Sequence, residues 1–157
     1  MEMSKRALGQ GHPDTLASMR NLASTYCRQG RWKEAEELEA QVMETEKRVL
    51  GQEHPDTLTS VGNLTLIYRN QDRWKEAEAL DVLVMEVRQR VLGQEHPDTL
   101  TSIGNLASTY RGQGQWKEAE ELEAKVIEMR KRVLGQEHPS ILVSMGSLSS
   151  AFWNQGR

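Results

Sequence analysis

Cysteine is almost absent from this chain of 157 residues, since Cys27 is the only one. A single thiol excludes an intramolecular disulfide or a cysteine zinc cluster, and it favours a reducing, cytoplasmic compartment. Long apolar runs are also missing, so we expect neither a membrane-spanning helix nor a signal peptide. Positive charge is not in excess, because 20 Lys and Arg stand against 23 Asp and Glu, with a net charge of −3. General binding to nucleic acid is therefore disfavoured.

Histidine and proline are scarce, with four of each, but their positions are regular. Every His directly precedes a Pro, and the pairs, beginning with His12 and Pro13, are 42 residues apart. A fixed period of this length is typical of a solenoid of stacked supersecondary units. We expect a single array with five parts: the end of a preceding second helix at 1–8, three full repeats at 9–50, 51–92 and 93–134, and the first helix of a truncated fourth repeat at 135–157.

Each repeat is predicted to contain two helices. Apolar residues keep the spacing of one helical face in the first helix: Leu16, Met19, Leu22, Ala23 and Tyr26. This helix is expected to begin at the His-Pro pair, where proline is well tolerated, and to end near Gly30. The second helix is expected to run for about 18 to 20 residues, from Trp32 to just before Gly51.

Three runs of the repeat resemble a known family: N-L-A-x-x-Y, Q-G-x-W-K-E-A-E-x-L and R-V-L-G-Q-E-H-P-D-T-L. They are similar to the tetratricopeptide repeat in the 42-residue form of kinesin light chains, and GRWKEAEELE is similar to arrays in fungal NLR-type (STAND) proteins. The resemblance covers essentially the whole chain. It implies an all-α, right-handed superhelical solenoid of antiparallel helix pairs.

The resemblance also assigns packing roles to single positions. Small or close-contact residues fall on Ala23, Thr65, Ala107 and Ser149 in the first helices, and on Ala35, Ala77 and Ala119 in the second helices. The family often has an aromatic residue seven positions after the tryptophan of the second helix. This chain has acidic residues there instead: Glu39, Asp81 and Glu123.

Catalytic chemistry has little support in the sequence. Cys27 has no counterpart in the other repeats, so we interpret it as a bystander thiol rather than a nucleophile. The histidines occur once per repeat, too far apart to share a metal ion, and capping of the first helix explains them better. No phosphate-binding glycine loop is present. We therefore predict that the chain is not an enzyme and needs no metal or cofactor.

Binding is the better hypothesis. In such a superhelix the first helices line the concave surface, and by resemblance an asparagine there bonds the backbone of an extended peptide. That role falls on Asn21, Asn63 and Asn105; the alternative is that each asparagine bonds a neighbouring helix. Other residues are expected to face the same groove: Arg20, Ser24, Cys27, Arg28, Leu66, Arg69, Asn70, Ser108, Arg111, Ser150 and Trp153. Because none of them is acidic, we expect a basic groove and a peptide ligand with acidic residues around an apolar or aromatic anchor.

The sequence thus predicts a non-catalytic protein-binding or peptide-binding scaffold, the ligand-sensing or interaction module of a larger NLR-like protein. Two alternatives remain open: a kinesin-light-chain-like cargo adaptor, and a structural, self-assembling repeat spacer. The expected partner is a protein or peptide, and neither nucleic acid nor a membrane. Uncovered apolar side chains at the two ends of the array, among them Phe152 and Trp153, also predict head-to-tail self-association.

Overall fold

A computed structural model describes residues 11–134 of the chain, and every regular element within this range is an α-helix. The six helices are α1 (Pro13–Arg28), α2 (Trp32–Val49), α3 (Pro55–Asn70), α4 (Trp74–Leu92), α5 (Pro97–Gly112) and α6 (Trp116–Leu134). The first helices have 16 residues each and the second helices 18 or 19, as the sequence predicts. The predicted helices at 1–8 and 135–157 lie outside the described residues, and so do the ends on which the predicted self-association depends. Within 11–134 the structure contains no helix that could span a bilayer.

Histidine caps the first helix of each described repeat. The Nδ1 atoms of His12, His54 and His96 each accept a hydrogen bond of 3.2 Å from the backbone N–H two residues later. The proline between them stands at the start of the helix, where its missing N–H leaves no helical hydrogen bond unmade. The capping role predicted for the histidines is confirmed at these three positions.

A left-handed residue ends each first helix. The closing hydrogen bonds measure 2.9 Å and run from Arg31 to Tyr26, from Arg73 to Tyr68 and from Gln115 to Tyr110. This geometry requires a positive φ, which is 72° at Gly30 and 77° at Gly114. The second repeat has Asp72 at the equivalent position, with φ at 57°. An L-residue is less stable than glycine in this conformation, so the second repeat has the least favourable turn of the three.

The chain divides into two compact units between Arg73 and Trp74. In the described part, unit 1 contains α1, α2 and α3, and unit 2 contains α4, α5 and α6. The boundary therefore falls between the two helices of the second repeat and not between repeats. The core of unit 1 is formed by Leu16, Met19, Ala23, Leu38 and Val42. The core of unit 2 includes Leu100, Ile103, Val126 and Met129.

Small residues pack where the resemblance placed them. Six positions are buried, with at most 2% of their surface exposed: Ala23, Thr65, Ala107, Ala35, Ala77 and Ala119. Ser149 lies outside the described residues. At the end of α2, Val49 is 57% exposed, although it keeps the helical spacing of the buried residues Ala35, Leu38 and Val42. The helix contributes its apolar face to the core only as far as Val42.

The ring of Trp74, at the start of α4, lies against Gly112 at the end of α5. A Cβ atom added to Gly112 would overlap this ring, whereas one added to Gly104, in the middle of α5, meets nothing within 4 Å. The earlier repeats have Asn70 and Arg28 at the position of Gly112. Glycine in the third repeat therefore makes room for the tryptophan.

In each unit an arginine contacts the first turn of a first helix. The arginine lies on a first helix in unit 1 and on a second helix in unit 2. In unit 1, Arg20 of α1 pairs with the buried carboxylate of Glu46 on α2, and its guanidinium reaches the carbonyl of Asp56 at 3.5 Å. In unit 2, Arg88 of α4 donates at 3.0 Å to the carbonyl of Asp98. Asp98 is equivalent to Asp56, and Arg88 is equivalent to Glu46.

The residues equivalent to Arg20 in the later repeats are Gly62 and Gly104. A repeat thus has either arginine on the first helix with glutamate on the second, or glycine on the first helix with arginine on the second. In the first and second repeats, both combinations place a guanidinium near the start of the next first helix.

We predict that exchanging this pair restores stability lost in either single variant. Arg20→Gly leaves Glu46 buried without its cation and is expected to cost about 3 kcal/mol of unfolding free energy. Glu46→Arg places two guanidinium groups together and is also expected to destabilise. The double variant reproduces the combination of the second repeat, so chemical denaturation is expected to show a smaller loss than either single variant. Losses that simply add would show that the two positions are independent.

The glycines of α5 provide a second prediction. Gly112→Ala is expected to lower the melting temperature, because the new methyl group displaces the Trp74 ring. Gly104→Ala, the matched change on the same helix, is expected to stabilise by about 0.5–1 kcal/mol through its helix propensity. If the two substitutions changed stability equally, the packing of the Trp74 ring would not require a glycine at position 112.

Candidate functional site

A cavity of about 330 Å³ opens in unit 1 among α1, α2 and α3. Its lining consists of Arg20, Asn21, Ala23, Ser24 and Cys27 from α1, Trp32 and Glu39 from α2, and Asn63, Leu66, Ile67 and Asn70 from α3. The volume is within the range of small ligand pockets, about 300–1,000 Å³. A side chain or a short segment of another molecule fits such a space.

Several residues that form this cavity differ from their equivalents in the other repeats. On α1, Ser24 and Cys27 are small, whereas the second repeat has Leu66 and Arg69 at the equivalent positions. The wall on α3 is apolar, because Leu66 and Ile67 replace a serine and a threonine of the third repeat. Ile67 is buried, but Leu66 is 52% exposed. The cavity therefore has a polar side, an apolar side and an accessible leucine.

Seven of the predicted groove residues come together here: Arg20, Asn21, Ser24, Cys27, Asn63, Leu66 and Asn70. Arg28 and Arg69 belong to unit 1 but do not line the cavity. Asn105, Ser108 and Arg111 belong to α5 in unit 2. Ser150 and Trp153 lie outside the described residues. The sequence prediction missed four lining residues: Ala23, Trp32, Glu39 and Ile67.

Glu39 is the most consequential of the missed residues. Its side chain is buried and accepts a hydrogen bond of 2.9 Å from Nδ2 of Asn63. The expectation that no acidic residue lines the groove is wrong for unit 1, since this carboxylate forms part of the cavity wall. A signal was present in the sequence, because Glu39 occupies a position where the family often has an aromatic residue. An acid there has to be buried against the neighbouring first helices.

Burial raises the pKa of the Glu39 carboxyl, and the Asn63 hydrogen bond opposes this rise. Burial also raises the pKa of the Cys27 thiol, and the negative charge of Glu39 raises it further. A thiol of raised pKa is a poor nucleophile, which agrees with the interpretation of Cys27 as a bystander.

The asparagines had two possible roles. Asn63 bonds the neighbouring helix α2 through Glu39, which is the structural alternative. Among the described residues this is its only side-chain hydrogen bond, so Oδ1 and one N–H stay available to a ligand. Asn21 is exposed and lines the same cavity. A peptide-binding role stays a prediction for both residues.

Two of the predicted groove arginines are engaged within the chain. Arg20 pairs with Glu46 and also donates at 3.3 Å to Oγ of Ser60. In unit 2, Arg111 pairs with the buried Glu123. Their charges are largely compensated, so they contribute less to a basic groove than the sequence predicts. Arg28 is exposed at the end of α1.

The acidic position that departs from the family pattern has a common structural role. In all three repeats the acid is buried and accepts a hydrogen bond from a first helix. Glu39 accepts from Asn63, Asp81 accepts from Thr109 at 2.5 Å, and Glu123 accepts from Arg111. Burial raises the pKa of Glu123 as well, while Arg111 lowers it. Polar contacts therefore replace the aromatic packing at this position.

The raised pKa of Glu39 predicts a pH-dependent effect of Glu39→Gln. The carboxyl favours its protonated form more in the folded chain than in the unfolded chain, so wild-type stability falls as pH rises through the raised pKa. Glutamine does not ionise. The unfolding free energy of the variant is therefore expected to increase relative to wild type as pH rises from below about 4.3, the ordinary glutamate value, towards neutral.

Urea denaturation at several pH values measures this difference. Glu37→Gln removes a charge from an exposed position on the same helix and serves as the control. A stability difference between Glu39→Gln and wild type that does not change with pH would contradict the assignment.

Comparisons with known proteins agree with this architecture. Family models described as tetratricopeptide repeat match residues 15–56 and 56–132. Two crystal structures of nearly identical TPR-like repeats from a putative kinesin light chain of Podosopora anserina are 35% identical to this chain, with TM-scores of 0.87 and 0.86. They match 99% of this chain and 73% and 74% of their own chains.

A third structure, BtubC (BKLC) from P. vanneervenii, is similar in fold. It is 20% identical, with a TM-score of 0.81, and the match covers 98% of this chain and 62% of BtubC. No curated protein matches the chain. On the family models and the Podosopora anserina structures, the chain belongs to the tetratricopeptide repeat family.

Proposed function

We propose that the chain is a non-catalytic protein-binding scaffold, and that the cavity of unit 1 receives a segment of its partner. Tetratricopeptide repeats typically serve as scaffolds for protein interactions. One observation carries the proposal for this site: Leu66 is 52% exposed beside the accessible carboxamides of Asn21 and Asn63. An accessible apolar side chain next to groups that both donate and accept hydrogen bonds suits an extended peptide.

Leu66 supplies the apolar anchor point. Its equivalents are Ser24 and Ser108, so the leucine is particular to the second repeat. Full burial of a leucine side chain is worth about 1.5–3 kcal/mol, so covering the exposed half of Leu66 stabilises a complex by roughly half of that. The carboxamides then fix the peptide backbone without selecting its sequence.

We assign Arg28 as the residue that binds the acidic part of the predicted ligand. This guanidinium is exposed, whereas Arg20 and Arg111 already pair with Glu46 and Glu123. We place the scaffold in the cytoplasm, where its single cysteine stays reduced.

The parent protein has two candidates. We propose a ligand-sensing module of a larger NLR-like protein, supported by runs such as GRWKEAEELE. The similarity to a putative kinesin light chain favours a cargo adaptor instead. The full-length gene distinguishes the two, since a nucleotide-binding domain supports the first and a coiled-coil heptad region supports the second.

A displayed library of random peptides, selected on the purified chain, tests the site. Peptides that bind are expected to lose about threefold to tenfold in affinity on Leu66→Ser, which gives the second repeat the side chain of its neighbours. Val49→Ser, a change at another exposed apolar residue of unit 1, is expected to leave affinity unchanged. Fluorescence anisotropy measures both, after thermal melting has shown that the variants fold.

Two results would contradict the proposal. Failure to select any peptide would contradict a peptide-binding scaffold function for this chain. Peptides that bind Leu66→Ser as tightly as wild type would place the site outside the cavity.

A further inference from the structure

The third repeat shows what the cavity of the first repeat lacks. In unit 2, the first helix carries Arg111 and the second helix carries the buried Glu123, and the two side chains pair. The equivalent residues in the first repeat are Cys27 and Glu39. The acid is therefore retained, but a short thiol stands where the third repeat has its guanidinium.

The space left by this difference is the cavity itself. Cys27 and Glu39 both line it, and the charge of Glu39 acts on the Cys27 thiol, whose pKa it raises. In the first and third repeats both helices lie within one unit, and Cys27 and Glu39 occupy the positions that Arg111 and Glu123 have in the third repeat. A guanidinium entering past Cys27 meets the carboxylate from the direction that Arg111 takes in the third repeat.

Glu39 is short of positive charge. Arg20, the one cation in the lining, pairs with Glu46, and the structure shows no ion pair between Arg20 and Glu39 within 11–134. The Ser60 hydroxyl nearby donates to Glu46 at 2.7 Å. Asn63 gives Glu39 a neutral donor, and Arg20 and Ser60 also favour its charged form, although neither forms an ion pair with it. Two carboxylates, Glu39 in the lining and Glu46 paired with Arg20, thus share one guanidinium, which leaves a formal excess of one negative charge when both are ionised.

We propose that the cavity binds a basic side chain of the partner peptide, arginine above all, through an ion pair with Glu39. This inference rests on the proposed function and specifies the ligand of the same site. The aliphatic stem of the basic residue packs on the apolar wall of Trp32, Leu66 and Ile67 while its head reaches the carboxylate. A charge-assisted hydrogen bond in this half-enclosed space is roughly twice as strong as a neutral one.

An acidic side chain is the wrong occupant for this cavity. It would add a third carboxylate beside Glu39 and Glu46, and like charges at close range oppose binding. The acidic residues of the ligand therefore lie outside the cavity, towards Arg28, and the basic residue lies inside. A peptide with both charges, separated by an apolar residue for Leu66, matches all three features.

The chain offers a variant that tests the proposal directly. Cys27→Arg gives the first repeat the arginine of the third repeat and is expected to pair with Glu39, filling the cavity from within. Glu39→Gln removes the negative charge but keeps an acceptor for Asn63. Ala17→Arg, an exposed position on the same helix, controls for the added charge, and Glu37→Gln controls for the lost one.

Peptides selected on the wild-type chain are expected to share an arginine or lysine next to an apolar residue. Replacing that basic residue by norleucine, which keeps an aliphatic stem without charge, is expected to weaken binding to wild type by about tenfold or more. The same replacement is expected to have little effect on binding to Cys27→Arg or Glu39→Gln. Both variants are expected to bind the parent peptide more weakly than the two control variants do.

Three outcomes separate the possibilities. Peptides that depend on Leu66 but contain no basic residue would overturn the inference and leave the proposed function intact. The inference would also be overturned if replacement of the basic residue by norleucine weakened binding to Glu39→Gln as much as binding to wild type. The cation would then bind elsewhere. Absence of any peptide that depends on Leu66 would reject the proposed function and the inference with it. Should Cys27→Arg fail to fold, Glu39→Gln alone gives the same distinctions.

Discussion

A carboxylate that is buried between helices has to receive hydrogen bonds, because an unsatisfied buried charge is strongly destabilising. The second helix of every described repeat carries such an acid, at Glu39, Asp81 and Glu123. In each case the donor is a side chain of a first helix. The contact between the two kinds of helix is therefore set by a polar pair as well as by shape. The aromatic residue that the family often has at this position provides no such directional contact.

The donors differ between the repeats, and these differences determine whether the buried acid is paired with a positive charge. Arg111 neutralises Glu123, Thr109 gives Asp81 a hydroxyl, and Asn63 gives Glu39 an amide. Only the first of these donors carries a positive charge. The repeat architecture permits the variation, because each repeat contacts only its neighbours and a local exchange does not disturb the rest. The exchange of Arg20 and Glu46 for Gly62 and Arg88 follows the same rule.

The sequence predicted the helices well because their limits depend on local signals. The His-Pro pair and the glycine of the turn act within a few residues, so the start at Pro13 and the end near Gly30 could be inferred directly. The packing alanines were also predictable, through the resemblance. Asp72 shows the limit of such rules, since it takes a glycine conformation without being glycine.

The site was less predictable because its contacts link distant positions. Glu39 meets Asn63 and Arg20 meets Glu46, 24 and 26 residues away. A sequence pattern gives the face of each helix, but it does not show which side chains satisfy one another. For this reason the groove was expected to be basic, although Arg20 is paired and Glu39 lines the cavity.

Partner binding and stability are linked at Glu39. The folded chain holds this carboxyl in an environment that favours its neutral form more than water does, since burial raises its pKa. A cation brought by a partner favours the ionised form and so removes a destabilising feature of the unbound fold. Any ligand that binds only the folded state stabilises that state in proportion to its affinity and concentration. The third repeat obtains the cation from its own Arg111, whereas the first repeat leaves it to be supplied from outside. The loss of one internal ion pair thus gives an otherwise repetitive array a position at which a partner can be recognised.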